Sequence, residues 1–369
     1  MRAARFSAGA RASSGSHESG HLAPPASDVR PGPTPTFSVI VAAYNVADVI
    51  GDALESVRSQ THAPLELIVC DDGSTDELER ALEAYRGEIQ LLRKENGGEA
   101  SAKNAAAAAA KGDFVVILDA DDVYFPDRIE ALCALARERP DLDILTTDGL
   151  LVAGERVVRH VYDRTWSFEV ADQRRAILQR NFIFGLTAVR RELLLEHDGF
   201  DESILWTTDW DLWLRLILAG ASAGCVNRPL ALYRLRETSL TAHRRELLLG
   251  KLSTLEKARG NPDLLDAERP VLEDSLAAYT RELALMDLRL AVAAGAAGVR
   301  SQALGLLRTR GYTPRVRLEL AAMGAAPRML GQMLRRQAAS SWVGAAGIRV
   351  RRRTDGEGSS RPADARGRG

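Results

Sequence analysis

From Phe37 onward, short apolar runs alternate with stretches in which apolar residues recur at helical spacing. Phe37-Ser-Val-Ile-Val-Ala-Ala43 reads as a strand, and Ala47 to Gln60 carries Val49, Ile50, Leu54 and Val57 on one helical face. Leu65 to Cys70 predicts a second strand, followed by a helix from Glu77 to Tyr85 that Ser74 or Thr75 can cap. Ile89 to Arg93 predicts a third strand. Asn96-Gly97-Gly98 is a turn that feeds an alanine-rich helix from Ala100 to Ala110. Phe114 to Leu118 is a fourth strand, and Pro126 leads a helix to Glu138. Alternation of this kind predicts a mainly parallel sheet wrapped by helices. Strands near Asp143 to Thr147 and Val157 to Val161, and helices over Ala171 to Arg180 and Asp209 to Ala219, make the next stretch mixed. Beyond Thr241 the pattern is helical to about Arg336.

The flanks differ. Residues 1–36 are rich in Gly, Ser, Pro and Ala and bury too little apolar surface to offset ordering entropy, so they read as a disordered tail. The division expected is a tail over 1–36, a catalytic-style α/β domain over 37–241, a helical region over 242–348 and a basic, Gly-rich tail over 349–369. With 46% hydrophobic and 27% charged residues the composition is that of a soluble globular protein. Forty-nine basic residues against 50 acidic ones give no general attraction to polyanions, so a nucleic-acid role is not expected. Cys70, Cys133 and Cys225 lie too far apart for a metal or disulfide framework, which suits a reducing cytoplasm. No run of about 18 apolar residues predicts a membrane span, and no apolar stretch behind Arg2 and Arg5 predicts a secretory signal.

Chemistry concentrates at strand ends. The fourth strand runs into Asp119-Ala120-Asp121-Asp122, the second into Asp71-Asp72, and the first into Tyr44-Asn45. Right-handed crossovers bring the carboxyl ends of parallel strands to one sheet edge, so these groups converge there. Hard oxygen ligands without His or Cys beside them suit Mg²⁺ or Mn²⁺ holding a phosphate rather than zinc. An acidic rim repels a diphosphate unless a cation intervenes.

At this point the residues resemble a known family. Phe37 to Asn45, Asp71-Asp-Gly-Ser-Thr-Asp76, Asn96-Gly-Gly with Ser101-Ala-Lys-Asn104, and Gly112 to Asp122 are similar in order and spacing to the family 2 glycosyltransferases of GT-A fold. The resemblance continues through Gly199-Phe-Asp-Glu202, Thr207 to Arg215 and Tyr233 to Thr241, and so covers residues 37–241. It implies a GT-A sheet flanked by helices with a helical C-terminal appendage. It also implies transfer of a sugar from a nucleotide-diphosphate donor, uridine- or deoxythymidine-linked, to a hydroxyl acceptor: a cell-surface glycan, a lipid-linked saccharide or a metabolite.

Roles follow from that resemblance. Asp71 and Asp72 match the acids at the base and ribose of the donor, Tyr44 and Asn45 fall among the nucleotide-sugar-binding positions, and Lys103 matches a basic position near the nucleotide. Asp119 is shared between nucleotide and metal, Asp121 matches the metal ligand through the diphosphate, and Asp209 matches the base that deprotonates the acceptor. A single base serving attack from the face opposite the leaving group implies inversion. Three residues depart from the family pattern: Thr208 where Glu is usual, Lys103 for Arg, and Arg236 where His is frequent, an arginine suited to pairing with phosphate.

Simpler readings stand beside these. Asp122 suits a helix cap, Asp211 and Arg215 an ordinary surface pair, and Trp210 and Trp213 a buried helix face, with a tryptophan such as Trp206 suited to stacking on an acceptor sugar. The arginines of 318–336 and 349–353 suit either a soluble helical appendage or contact with an anionic membrane on its cytoplasmic face. The competing classes are a nucleotidyltransferase, disfavoured because Ala42-Ala43-Tyr44-Asn45 is no Gly-rich phosphate loop, and a non-catalytic nucleotide-sugar-binding protein, encouraged only by Thr208.

Overall fold

The structure, a computed structural model, describes residues 34–154, 156–235, 243–343 and 349–351, with side chains described through residue 334. Arg236, the N-terminal tail and Arg352 onward lie outside the described residues. The chain runs β1 (Phe37–Ala43), α1 (Ile50–Arg58), β2 (Glu66–Asp71), α2 (Leu78–Leu82), β3 (Gln90–Arg93), α3 (Glu99–Ala109) and β4 (Phe114–Ile117), then β5 (Val123–Tyr124) and α4 (Arg128–Glu138). The second half adds β6 (Ile144–Ala153), β7 (Arg156–His160), α5 (Gln173–Gln179), β8 (Ala188–Arg190), α6 (Arg191–Glu196), α7 (Thr208–Leu218) and β9 (Ala223–Arg234). Helices α8 (Arg244–Ala258), α9 (Arg269–Ala294), α10 (Val299–Arg308), α11 (Pro314–Ala325) and α12 (Pro327–Ser340) follow.

The strands form one sheet in the order β3-β2-β1-β4-β8-β6-β9-β5, with β7 on β6. β1 pairs in parallel with β2 and β4, and β2 with β3, which sends the ends of these strands to one edge. Alternate residues divide between two covered faces. Ile40, Ile68, Val115 and Ile117 pack with α3, α5 and α7, whereas Val39, Val41, Val69 and Val116 pack with α1, α2 and α4. Burial on both faces is why these strands read as unbroken apolar runs.

The antiparallel insertion of β8 between β4 and β6 was not expected, nor were α6 and the two-residue β5. β9 was missed because Asn227, Arg228 and Pro229 interrupt it, and at that point its register against β6 shifts. Neither Ser74 nor Thr75 caps α2. The Asp76 carboxylate accepts the Leu78 N–H instead, at 3.2 Å.

Helix α8 and the first half of α9 share the sheet's core. Leu255, Leu264, Leu272 and Leu276 join the same apolar cluster as Trp210 and Trp213 of α7. A separate cluster of Leu285, Leu288, Val292, Leu320 and Met323 unites the later helices. Among the described residues, no helix is long and apolar enough to cross a membrane.

Candidate active site

The exits of β1 and β2 are tied to each other. Asn45 takes a left-handed φ of 52°, tolerable for Asn. From there its Oδ1 accepts the Thr75 and Asp76 amides at 2.8 and 3.3 Å, while its own N–H donates to Ser74 Oγ at 3.1 Å. Asp71 Oδ1 accepts the Ser74 N–H at 2.9 Å. Tyr44 beside them is half exposed, with its ring open to solvent.

Asp72 is buried and fully used by the protein. It accepts Lys94 Nζ at 2.8 Å and the amides of Gly97 and Gly98 at 3.0 and 2.7 Å. Gly98 has a φ of 90°, which a side chain would strain. One carboxylate therefore shapes the turn that launches α3.

On α3, Lys103 is buried between two acids, 2.5 Å from Glu99 and 2.9 Å from Asp119, with the Phe200 ring centroid 5.7 Å away. Burial penalises its charge, but the carboxylates of Asp119 and Glu99 outweigh that and hold its pKa above the ordinary lysine value. Its ammonium is thus spent on positioning Asp119 rather than standing free for a phosphate. Asn104, the next residue, donates to the Phe200 carbonyl at 2.8 Å and to Glu202 at 3.1 Å, and accepts the Phe200 N–H at 2.8 Å. Two distant motifs are joined by that amide.

The acids after β4 separate in role. Asp119 and Asp121 are partly exposed. Asp122 is buried and does not cap α4, whose N-terminal flank is Asp127. Its Oδ1 instead accepts the Arg234 N–H at 2.8 Å, latching the loop to the end of β9. Its Oδ2 is buried without a hydrogen-bond partner. Burial, reinforced by the charges of Asp119 and Asp121, holds its carboxyl well above the ordinary range. Among the described residues no three of His, Cys, Asp and Glu are grouped to hold a metal unaided. A hard cation that keeps water and phosphate oxygens in its shell needs only one or two carboxylates, which this loop offers.

Asp209 stands in the first turn of α7. Its Oδ1 accepts the Trp210 N–H at 2.7 Å and its Oδ2 accepts Asn181 Nδ2 at 2.9 Å. Burial pushes its pKa up to about 6 against the pull of that N–H and of Lys103, with Glu99 and Asp119 adding to the rise. The base expected on the acceptor side and the acids on the donor side therefore share one field. Asn181 was missed by sequence reasoning, since a lone Asn after a short helix has no spacing signal. Asp211 is no surface residue: it is 1% exposed and holds both Arg215 and Lys257 at 2.8 Å. Trp210 and Trp213 are buried, leaving Trp206 half-buried against His243, with ring centroids 5.4 Å apart. Thr208, in place of the usual Glu, is buried at the helix start.

Comparison with known proteins adds a family. Residues 38–197 match the model of glycosyl transferase family 2. An uncharacterized glycosyltransferase of Rickettsia prowazekii is 33% identical over 187 residues, 49% of this chain and 58% of that one. The hyaluronan synthase of Pasteurella multocida is 30% identical over 204 residues, 53% of this chain and 20% of the synthase. The chain thus spans less than two thirds of these relatives. In structure it is similar to S. aureus TarS 1-349 in complex with UDP-GlcNAc, with a TM-score of 0.55 at 19% identity over 82% of this chain and 91% of that one. It is also similar to a mannosyltransferase from Pyrobaculum calidifontis in complex with GDP-Man and Mn²⁺, with a TM-score of 0.52 at 21% identity over 84% and 87%. Residues 38–197 of the chain thus match glycosyl transferase family 2, and its fold is that of the GT-A glycosyltransferases.

Proposed function

We propose that the protein is an inverting glycosyltransferase that moves a sugar from a nucleoside-diphosphate donor to a hydroxyl acceptor, with Mg²⁺ or Mn²⁺ held at Asp121 and Asp119. The observation that carries the reading is the convergence of Asp209 with Lys103, Glu99 and Asp119, strong enough for each charge to act on the Asp209 carboxyl. Donor-side acids and an acceptor-side base close enough to act on each other are what a direct displacement at an anomeric carbon requires.

Asp209 suits the base for two reasons. A pKa of about 6 leaves it ionised at neutral pH yet closer to the operating pH than an ordinary Asp, which favours proton transfer. Two hydrogen bonds fix its rotamer, so little reorganisation remains when the acceptor hydroxyl arrives. On the donor side, exposed Tyr44 offers a stacking face for the base and Asp71 Oδ2 an acceptor for it, while Asn45 and Asp72 hold the walls of that subsite. When bound, Mg²⁺ or Mn²⁺ supplies neutralising charge for the departing diphosphate. The Asp122 oxygen left unpartnered in the same acidic loop favours a cation there. The relatives support the reading at the level of class: synthases of polysaccharides in sequence, and proteins holding UDP-GlcNAc or GDP-Man in structure.

The test is a thermal-shift screen of nucleotide sugars with and without Mn²⁺, followed by transfer with Asp209→Asn. Selective, cation-dependent stabilisation by one donor is expected, with transfer lost and donor binding kept in the variant. Near-normal transfer by Asp209→Asn overturns the assignment of the base.

A further inference from the structure

We propose that the acceptor carries an anionic group, a sugar carboxylate or a phosphodiester, and that Lys251 of α8 receives it. This rests on the glycosyltransferase reading and adds the chemistry of the acceptor to it.

Lys251 stands near enough to Asp209 for that carboxylate to act on its ammonium. Its Nζ lies 5.0 Å from the centroid of the Tyr279 ring. That ring packs edge-on against Trp210, at 5.9 Å and 69°, and Trp210 supplies the N–H that holds Asp209. Gly250 lets α8 approach this closely, because a Cβ there would come within 2.8 Å of Trp206 Cβ. The half-buried Trp206 beside it offers a flat face on which a sugar ring can stack. Acceptor platform, base and lysine are thus contiguous.

The lysine lacks what its neighbours have. Lys94 pairs with Asp72, Lys103 with Glu99 and Asp119, and Lys257 with Asp201 and Asp211. Glu282, the acid whose charge acts most on Lys251, is engaged by Arg244 at 3.0 Å. Among the described residues no carboxylate comes within 4.0 Å of Lys251 Nζ, although the side chain is largely sunk between α8 and α9. Burial lowers its pKa, while Glu282 and Asp209 work against that. Arg244 acts on the same ammonium, and Arg180 acts on Tyr279 from the end of α5, so two arginines stand near the lysine beside Glu282 and Asp209. A desolvated, unpaired cation is costly, and an anion from outside relieves that cost. A neutral sugar leaves it in place.

The experiment uses the full chain and three probes in calorimetric titrations at low salt: a hexasaccharide alternating glucuronate with N-acetylhexosamine, a glycerol phosphate oligomer, and neutral chitohexaose. Wild type is expected to bind at least one anionic probe, and which one distinguishes carboxylate from phosphodiester. Lys251→Gln should weaken that binding about tenfold or more, Lys251→Arg should keep it within about threefold, and chitohexaose should not respond to either change. The inference is overturned if neither anionic probe binds, if chitohexaose binds wild type as tightly as they do, or if Lys251→Gln, melting like wild type, binds the anion unchanged. Selectivity in wild type keeps the test decisive even where Lys251→Gln does not fold. A thermal shift with UDP-GlcNAc or GDP-mannose plus Mn²⁺ on the same preparation reads the donor side separately. A donor shift without anion binding sinks the acceptor inference alone, whereas no shift with any nucleotide sugar sinks the glycosyltransferase reading.

Discussion

Asn181 and Asp209 are joined by one hydrogen bond across 28 residues, the Asn181 amide donating to Asp209 Oδ2 at 2.9 Å. That bond favours the ionised carboxyl and fixes its direction, while burial opposes ionisation and sets the pKa at about 6. In the proposed role of base, Asp209 is active when deprotonated. Transfer should therefore be level above neutrality and fall about tenfold per pH unit once pH drops below about 6. A rate profile that stays flat down to pH 4.5 removes Asp209 from the role.

Asn181→Ala takes away a donor to the charged form, so the acid limb of the profile should move to higher pH. The loosened rotamer should cost about 10- to 100-fold in kcat with little change in donor affinity. A variant that lowers kcat without moving the limb would mean that Asn181 only supports the fold.

Lys103 sits between Glu99 and Asp119 as the shared counter-ion of both. Lys103→Met leaves two carboxylates facing each other without it, and should destabilise the chain by about 2–4 kcal/mol in urea unfolding. Lys103→Arg keeps the charge and adds a fork that can reach both acids, so most of the loss should return. Equal stability of the Met variant and wild type would show that solvent already screens the pair.

How far the site was legible in the sequence depends on how local its causes are. Strands β1 and β4 were readable because both of their faces are covered, which leaves Ser38 as the single polar position in the two. Asp71, Asp72, Asp119 and Asp121 stand out in the sequence as abrupt charges after apolar runs. What was hidden depends on partners far along the chain. Asp211 resembled a surface acid because Lys257, which helps to bury it, lies on another helix. Lys103 resembled a phosphate ligand because its acids flank it from two different elements. Asp122 resembled a cap because the Arg234 amide it holds belongs to a strand that Pro229 disguises.

The proposed cation requirement has its own test. Chelation with EDTA should lower transfer by at least about 100-fold, and Mn²⁺ or Mg²⁺ should restore it, since neutralising the leaving diphosphate accounts for several kcal/mol of the barrier. Asp121→Asn should reproduce the loss and blunt the restoration. Turnover that survives EDTA in wild type assigns the charge neutralisation to protein cations instead.

Gly199 makes the last case, because a backbone position there controls the site from outside it. Its φ is +62°, and a Cβ added to it would fall on Asn104 Oδ1. That oxygen accepts the Phe200 N–H while the same amide donates to the Phe200 carbonyl, and Phe200 packs near the Lys103 ammonium. Gly199→Ala must therefore adopt a left-handed backbone that costs about 1–2 kcal/mol and also displace an amide whose two backbone bonds contribute about 1 kcal/mol each. The expected loss is about 2–4 kcal/mol in urea unfolding. Since Asn104 and Lys103 are adjacent on α3, the displacement should also weaken donor binding, seen as a smaller nucleotide-sugar thermal shift. Gly199→Ala with unchanged stability would mean that Asn104 finds another rotamer without cost, and that the link between these two motifs is dispensable.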